Sequence, residues 1–305
     1  MKVAVAGGTG FVGEPLVRSL LERGDEVVVL TRNPARLRAG RPLAWDPGIA
    51  GGDWRQDVAS ADAVINLAGE SVAGGRWTAA RKERILQSRL AATNGLVDAM
   101  QARPERRRVL VSASAVGFYG PRGDDPLSEQ AAAGDGFLAG VVARWEEAAK
   151  RADAFARVVI LRIGVVLGPD GGALDKMRLP FRLGLGGRIA GGRQWMSWID
   201  RHDLISMILW AVANGSVHGI YNATAPEPVR NRDFTRALGK ALHRPAIFPA
   251  PAPALRLLLG EMASEMLIGG QRVLPVRATS EGFRFEYPSL DASLRHALQS
   301  DLHER

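Results

Sequence analysis

Three glycines near the amino terminus, Gly7, Gly10 and Gly13, are spaced to meet a phosphate through the backbone. They follow Lys2-Val3-Ala4-Val5-Ala6, a short apolar run with β-branched residues that reads as a buried parallel strand. Glycines at such a strand end turn the chain tightly and let N–H groups approach a pyrophosphate. They also let the next helix pack close, with its positive end toward the phosphates. That helix is expected from Phe11 to about Arg23, with Val12, Leu16, Val17, Leu20 and Leu21 apolar and Gly24 as C-cap. A strand over Glu26 to Leu30 completes a strand–helix–strand unit of roughly 30 residues. The pattern points to a dinucleotide.

Which dinucleotide is decided where the second strand ends. A free ribose 2′-OH wants an Asp or Glu there to accept its hydrogen bond. This chain has Thr31-Arg32. A carboxylate would repel a 2′-phosphate, whereas a guanidinium offers it planar, charge-assisted hydrogen bonds. Arg36 and Arg38 are close enough in sequence to join that pocket. The plain alternative is a surface arginine in an arginine-rich chain; NADP(H) is the expected cofactor.

Other polar residues give weaker signals. Arg193-Gln194-Trp195-Met196-Ser197-Trp198 sets aromatic rings and an arginine on a glycine-flanked loop, which suits a planar or anionic ligand. Arg193 and Trp198 are the candidate substrate contacts, against the alternative that the tryptophans glue two lobes together. His202 and Asp203 are neighbours, but adjacent residues on a helix point apart, so Asp203 reads as a helix-start residue. The five histidines show no ligand-like spacing, and no metal site is expected.

The elements that must position these groups alternate regularly. Strands are expected at Asp62–Asn66, running into Leu67-Ala68-Gly69, at Val109–Ser114 and at Val158–Arg162. Helices are expected between Thr78 and Met100 and from about Phe137 to Arg151. Strand–helix alternation means α/β: a doubly wound parallel sheet with helices on both faces. After Gly164 the glycine clusters 168–172 and 184–187 break the pattern; Asp203–Ala213 is again helical and His218–Tyr221 returns as a strand. Residues 1–165 plus about 203–224 are therefore expected to form the nucleotide-binding domain. A smaller lobe takes about 166–202 and 225–305. Pro251 to Ile268 is amphipathic and reads as a core helix rather than a partner surface.

Composition bounds the rest. The 305 residues are 46% hydrophobic and 24% charged, as in ordinary soluble globular proteins. No run approaches the roughly 18 apolar residues of a spanning helix, and Met1-Lys2 leads straight into a strand. A cytoplasmic protein without a membrane partner is expected. The absence of cysteine excludes disulfides and thiolate nucleophiles. The net charge of +8 comes from arginine read as scattered along the chain, with only five lysines. Arg106-Arg107-Arg108 has no interleaved aromatics and reads as a solvated loop. Nucleic acid is not an expected partner; a small-molecule substrate is, for a monomer or homodimer.

Several segments in this order are similar to the extended short-chain dehydrogenase/reductase family. They are Gly7–Gly13, Thr31-Arg32, Asn66–Glu70, Lys82-Glu83 with Ser88-Arg89, and Ser112–Gly120. Arg162–Gly168, Pro180–Gly184, Trp198-Ile199 before Asp203-Leu204, Tyr221–Ala223 and Gly270–Pro275 continue the series. The chain most resembles the atypical, NAD-dependent epimerase/dehydratase-like branch, often labelled sugar-nucleotide epimerase-like. The resemblance implies an NAD(P)-binding Rossmann lobe, a smaller C-terminal lobe and a cleft between them. It implies that the loop of Gly7, Thr9, Gly10, Phe11, Val12 and Gly13 holds the pyrophosphate, and Thr31-Arg32 the adenosine phosphate. Leu67, Ala68 and Gly69 would line adenine and ribose, Glu83 and Arg89 would reach ribose or phosphates, and backbone at Ile163 and Val165 would flank the nicotinamide.

Such enzymes typically carry a Tyr-x-x-x-Lys pair, whose lysine lowers the phenol's pKa for proton exchange. Here the residues four after Tyr119, Tyr221 and Tyr287 are Gly123, Ala225 and Asp291. With Trp145-Glu146 as landmark, the pair would fall near Leu138 and Val142, both apolar. Ser114, at the family's serine position, and Tyr119 remain the catalytic candidates. The expected function is an NADP(H)-dependent oxidoreductase or epimerase with unorthodox proton chemistry, the alternative a non-catalytic NADP(H)-binding sensor.

Overall fold

The structure, a computed structural model, describes residues 1–49 and 51–298. Residues 299–305, the end of the expected smaller lobe, and Ala50 lie outside the described residues. The chain starts as strand β1 (Lys2–Ala6), the glycine turn, helix α1 (Gly13–Glu22) and β2 (Glu26–Thr31). α1 ends as expected: Gly24 has φ +84°, and the Asp25 N–H reaches back to the Leu20 carbonyl at 3.1 Å. Its start is two residues later than expected, at Gly13, because Gly7–Val12 are consumed in the turn.

β3 (Arg41–Ala44) and α2 (Trp54–Ser60) follow, two of the elements that the sequence does not announce. β3 is an edge strand carrying Pro42, the position a sheet tolerates for proline. Then follow β4 (Ala63–Asn66), the 23-residue α3 (Ala79–Gln101), β5 (Val109–Ala115), β6 (Pro126–Leu127), α4 (Phe137–Lys150) and β7 (Arg157–Ile163). The second half adds β8 (Val165–Leu167), α5 (Gly172–Arg182), β9 (Trp195–Met196), β10 (Trp198–Asp200), α6 (Arg201–Ala213), β11 (Gly219–Ala223) and β12 (Val229–Arg230). α7 (Asn231–Leu242), α8 (Ala252–Leu259), α9 (Glu261–Ala263), β13 (Arg272–Val273), α10 (Val276–Ser280) and α11 (Leu290–Ala297) complete the described chain.

The main sheet has seven strands in the order β11-β7-β5-β4-β1-β2-β3, all parallel. It is the doubly wound Rossmann arrangement. Alternation sends Val3, Val5, Val27, Val29, Ile65 and Val111 to one face, under Leu16 and Leu20 of α1 and Leu204 and Ile208 of α6. Ala4, Ala6, Val64, Leu110 and Ile160 face Val58, Leu96 and Met100 of the helices opposite. Such fully buried aliphatic side chains contribute about 1.5–3 kcal/mol each, which fixes the register that carries the site. A separate apolar core gathers Leu174 and Phe181 of α5, Trp198, Phe234 and Leu238 of α7, and Leu290 and Leu294 of α11.

The start of α6 differs from expectation. Asp200 is the capping residue, its carboxylate accepting the His202 N–H at 2.8 Å. Asp203, buried in the first turn, instead accepts the N–H groups of Glu286 and Tyr287 at 2.8 and 3.0 Å; burial raises its pKa. The core helix expected over Pro251–Ile268 is also corrected. α8 fully buries none of its residues; only its last residue, Leu259, packs against the cluster of Trp77, Ile85 and Val141, which Met262 of the following turn joins. Among the described residues no helix is long and apolar enough to cross a membrane.

Candidate functional site

The glycine turn sits at the carboxyl edge of β1, between β4 and β2. Gly7 has φ +81°, and a Cβ there would lie 2.8 Å from the Leu67 carbonyl carbon. At Gly13 a Cβ would stand 2.1 Å from the Gly7 carbonyl oxygen. Only hydrogen side chains allow turn, strand and helix to close this tightly. The Gly10 N–H donates to the Gly7 carbonyl at 3.0 Å. No side chain caps the start of α1; the Glu14 N–H donates to the Gly10 carbonyl at 2.9 Å and residue 15 is proline, which leaves the N–H groups of Phe11, Val12 and Gly13 for a ligand or solvent. This is a cradle suited to a pyrophosphate. Thr9 is exposed and Val12 packs against the main core. Phe11 is clamped from the second half of the chain: a Cβ at Gly172 would meet its ring at 2.6 Å, and the Arg201 guanidinium lies 4.6 Å from its centroid.

Beside the cradle is a small cleft lined by Gly8, Thr9, Glu14, Val17 and Arg36–Ala39. Glu14 is engaged there by Arg18 at 2.5 Å and Arg38 at 3.7 Å. Thr31 is buried, its hydroxyl oxygen accepting the Asn33 N–H at 3.2 Å. Arg32 is exposed.

Across the cradle, the Leu67 N–H donates to the Ala6 carbonyl at 2.9 Å and the Ala68 N–H to the Asn66 side-chain oxygen at 3.2 Å. Arg89 holds this turn from behind. Its guanidinium donates to the Glu70 carbonyl at 3.0 Å and stacks 5.1 Å from the Trp145 centroid. Burial pushes its pKa down to about 10, leaving it cationic at neutral pH. Gly69 lies against it, 3.2 Å separating the guanidinium carbon from an added Cβ. Glu83 is exposed and accepts a hydrogen bond from Gln87 at 2.8 Å, which places it on the outer side of α3.

The hydroxyl candidates have a different setting. Register aligns Ser114 of β5 with Arg162 of β7, and Arg162 with Asn222 of β11, making a polar row across the carboxyl edge. Ser114 is 3% exposed and Tyr119 fully buried. The Ser114 hydroxyl donates to Glu146 of α4 at 2.6 Å. Arg162 donates to both oxygens of that carboxylate at 2.8 Å and to the Tyr119 hydroxyl at 2.9 Å. Tyr119 in turn donates to the Asn222 side-chain oxygen at 2.7 Å. Burial raises the Tyr119 pKa, and the Arg162 cation offsets only part of that. For Arg162 itself the order reverses: burial lowers its pKa, but Glu146 overcomes this and holds it above the usual value. A hydroxyl carries one proton. Both protons are donated within the protein in this arrangement. A lone arginine in the apolar strand Val158–Ile163 was the available signal for this network; Glu146 and Asn222 had none.

Gly164 separates β7 from β8 because a Cβ there would lie 2.6 Å from the Ser197 carbonyl, and the Val165 N–H donates to that oxygen at 2.9 Å. Ile163 and Val165 are thus half-buried at the sheet edge. Trp198 does not line a cleft. It is fully buried in the smaller core, its indole N–H donating to the Glu227 carbonyl at 3.0 Å. Trp195 is the half-buried ring instead. Arg230 and Arg272 lie 4.5 and 5.1 Å from its centroid, and its indole N–H donates to Asp124 at 2.7 Å. The Nε of Arg272 is buried without a partner among the described residues. Arg193 is exposed beside this cluster, its carbonyl accepting from Arg230.

Comparison with known proteins fits this geometry. The sequence model of the NAD dependent epimerase/dehydratase family matches residues 3–224, and a domain of unknown function, DUF1731, matches 250–297. The chain is 41% identical to the chloroplastic epimerase family protein SDR39U1 homolog of Arabidopsis thaliana, over 98% of this chain and 87% of that one. It is 39% identical to epimerase family protein YfhF of Bacillus subtilis, covering 96% and 97%. Among solved structures, human epimerase family protein SDR39U1 (isoform 2) with NADPH superposes with a TM-score of 0.89 at 36% identity, covering 98% and 99%. The chain belongs to the NAD dependent epimerase/dehydratase family.

Proposed function

We propose that this protein binds NADP(H) and acts as an oxidoreductase or epimerase on an anionic small molecule. The observation that carries the reading is the uncapped, side-chain-free cradle of Gly7, Gly10 and Gly13, with the exposed cation Arg32 at the end of β2. The solved human relative with NADPH supports the choice of cofactor. In this reading the loop from Gly7 to Gly13 holds the pyrophosphate through backbone N–H groups. Thr31, Arg32 and the Arg36–Arg38 turn take the adenosine phosphate. Leu67, Ala68 and Gly69 line the adenine and ribose, with Arg89 fixing that turn, and Ile163 and Val165 flank the nicotinamide. When bound, the cofactor supplies or accepts hydride.

The chain's own groups then orient the substrate. Trp195 with Arg272 and Arg230 offers a ring and two cations, of which Arg230 is already paired with Asp124 at 2.9 Å, a net positive cluster that favours an anion. With Ser114 and Tyr119 committed to Glu146 and Asn222, the proton that accompanies hydride transfer comes from the substrate or water. Fluorescence titration with NADPH and NADH tests the reading: NADPH binds at least tenfold more tightly, and failure of both to bind overturns it. The same committed protons favour a second reading, an NADP(H) sensor without turnover. Tight NADPH binding with no turnover across a panel of anionic carbonyl compounds selects it.

A further inference from the structure

The positive charge of this chain is not scattered. Residues 176–199 and 234–260, together 51 residues, contain nine Lys and Arg and no Asp or Glu. The other 254 residues carry 31 basic and 32 acidic side chains, so the excess falls on these two segments; Asp175, Asp200, Asp233 and Glu261 stand at their ends, the first pairing with Arg178 and the third with Arg236. They also hold seven of the eleven large hydrophobic side chains exposed among the described residues. These are Leu179, Leu183, Leu185, Ile247, Phe248 and the pair Leu257-Leu258, each more than half exposed.

The fold brings the two segments together. The Phe248 N–H donates to the Gly186 carbonyl at 3.0 Å, the Ala250 N–H to the Arg188 carbonyl and the Ala190 N–H to the Ala250 carbonyl, both at 2.9 Å. α8 follows at once and fully buries none of its residues, although seven of its eight are apolar. Arg188, Lys240, Arg244 and Arg256 are exposed on the same segments. Apolar surface of this extent has no role in folding the monomer.

We propose that this face of the smaller lobe docks on a bilayer surface containing anionic lipid, with leucines and Phe248 entering the interface and the arginines meeting headgroups. Charge selects this occupant over a second copy, because two such faces would set like charges together. Six of the seven exposed apolar residues are aliphatic, which leaves a nucleic acid only the Phe248 ring to stack on. Leu257 and Leu258 are 78% and 69% exposed, while Leu255 and Leu259 are half-buried; a protruding pair of this kind suits a deformable interface better than a peptide.

The test uses the full chain sedimented with vesicles of phosphatidylcholine, alone or with about a third phosphatidylglycerol. Binding at least tenfold stronger to the anionic vesicles, and weakened by salt, is the expected result. Arg244→Gln/Arg256→Gln lowers it about 25-fold, at roughly fivefold per arginine, and Leu257→Ser/Leu258→Ser abolishes it. Unchanged melting temperature and NADPH titration show that both variants remain folded. Absence of vesicle binding, or equal binding to neutral and anionic vesicles, overturns the proposal. So does a dimer that Leu257→Ser/Leu258→Ser dissociates while vesicles remain unbound, or capture of an acidic peptide or duplex DNA in their place. Because none of these residues touches the glycine cradle, this outcome is separable from that of the cofactor titration.

Discussion

The two halves of the carboxyl edge treat their polar groups in opposite ways. At β1 and β2 the chain removes side chains, leaves the start of α1 uncapped and keeps Arg32 exposed. At β5, β7 and β11 it buries Ser114, Arg162 and Asn222 in register and closes them with Glu146 and Tyr119. The first half keeps the Phe11, Val12 and Gly13 N–H groups and the Arg32 guanidinium unspent; the second is a set of donors already spent on one another.

The comparison breaks most severely at Gly13. A methyl group 2.1 Å from the Gly7 carbonyl oxygen cannot be relieved by rotating a side chain, since the neighbour is backbone. Gly13→Ala is expected to abolish measurable NADPH binding in a fluorescence titration and to lower the melting temperature. Retained affinity would show that the cradle is not the pyrophosphate site.

Arg162→Met strikes the other half. It leaves Glu146 buried and charged with only the Ser114 hydroxyl to meet it, and breaking a buried pair from one side costs about 3–5 kcal/mol. Urea unfolding measures that loss. NADPH affinity of the folded fraction should change less than threefold if the two halves are independent, and a tenfold fall would join them.

Arg32→Ser sharpens the cofactor half. A hydrogen bond to a charged group is worth about 1.5–3 kcal/mol, so NADPH should bind roughly ten- to hundredfold more weakly while NADH is unaffected. An equal loss for both would assign Arg32 to the shared pyrophosphate rather than the 2′-phosphate.

The opposite, amino edge of the sheet gives a smaller effect, read by pH. Asp25, Asp57 and Asp62 each suffer a burial penalty that would raise their pKa. It is outweighed by the Met1 ammonium and Arg23, by Arg41 and Lys2, and by the Lys2 N–H and Arg106, respectively. All three sit below the ordinary value of 3.8. A depressed carboxylate pKa means stability fully present above 3.8 and lost as pH falls through the folded values. Melting temperature should therefore drop on acidification below about pH 4, and Asp62→Asn should flatten part of that drop.

How far the sequence revealed each half follows from the kind of signal each uses. Glycine spacing and an arginine at a strand end are local, so the cradle, α1 and the Gly24 cap were legible. The polar row depends on cross-strand register, which places Ser114 beside Arg162 only once β5 and β7 are paired. Glu146 joins from a helix 32 residues away. Trp198 and Trp195 look alike in sequence, and only the packing of α5, α7 and α11 sends the first inward. β3 was missed because four residues with a proline carry no alternation to read.

Ser114→Ala is the smallest expected effect and the most discriminating. The Glu146 oxygen that accepts the Ser114 proton also accepts the Arg162 Nε–H at 2.8 Å, so removing the hydroxyl does not orphan the carboxylate. The loss should be about 1.5 kcal/mol in urea unfolding, the low end for a hydrogen bond to a charged group because Arg162 still holds the carboxylate, with NADPH affinity within twofold of the parent. Turnover on any substrate found should survive, because the hydroxyl proton is directed at Glu146 and not at the cleft. A tenfold or greater fall in turnover at unchanged stability would return Ser114 to the chemistry. It would mean that substrate binding reopens the row that the free protein holds shut.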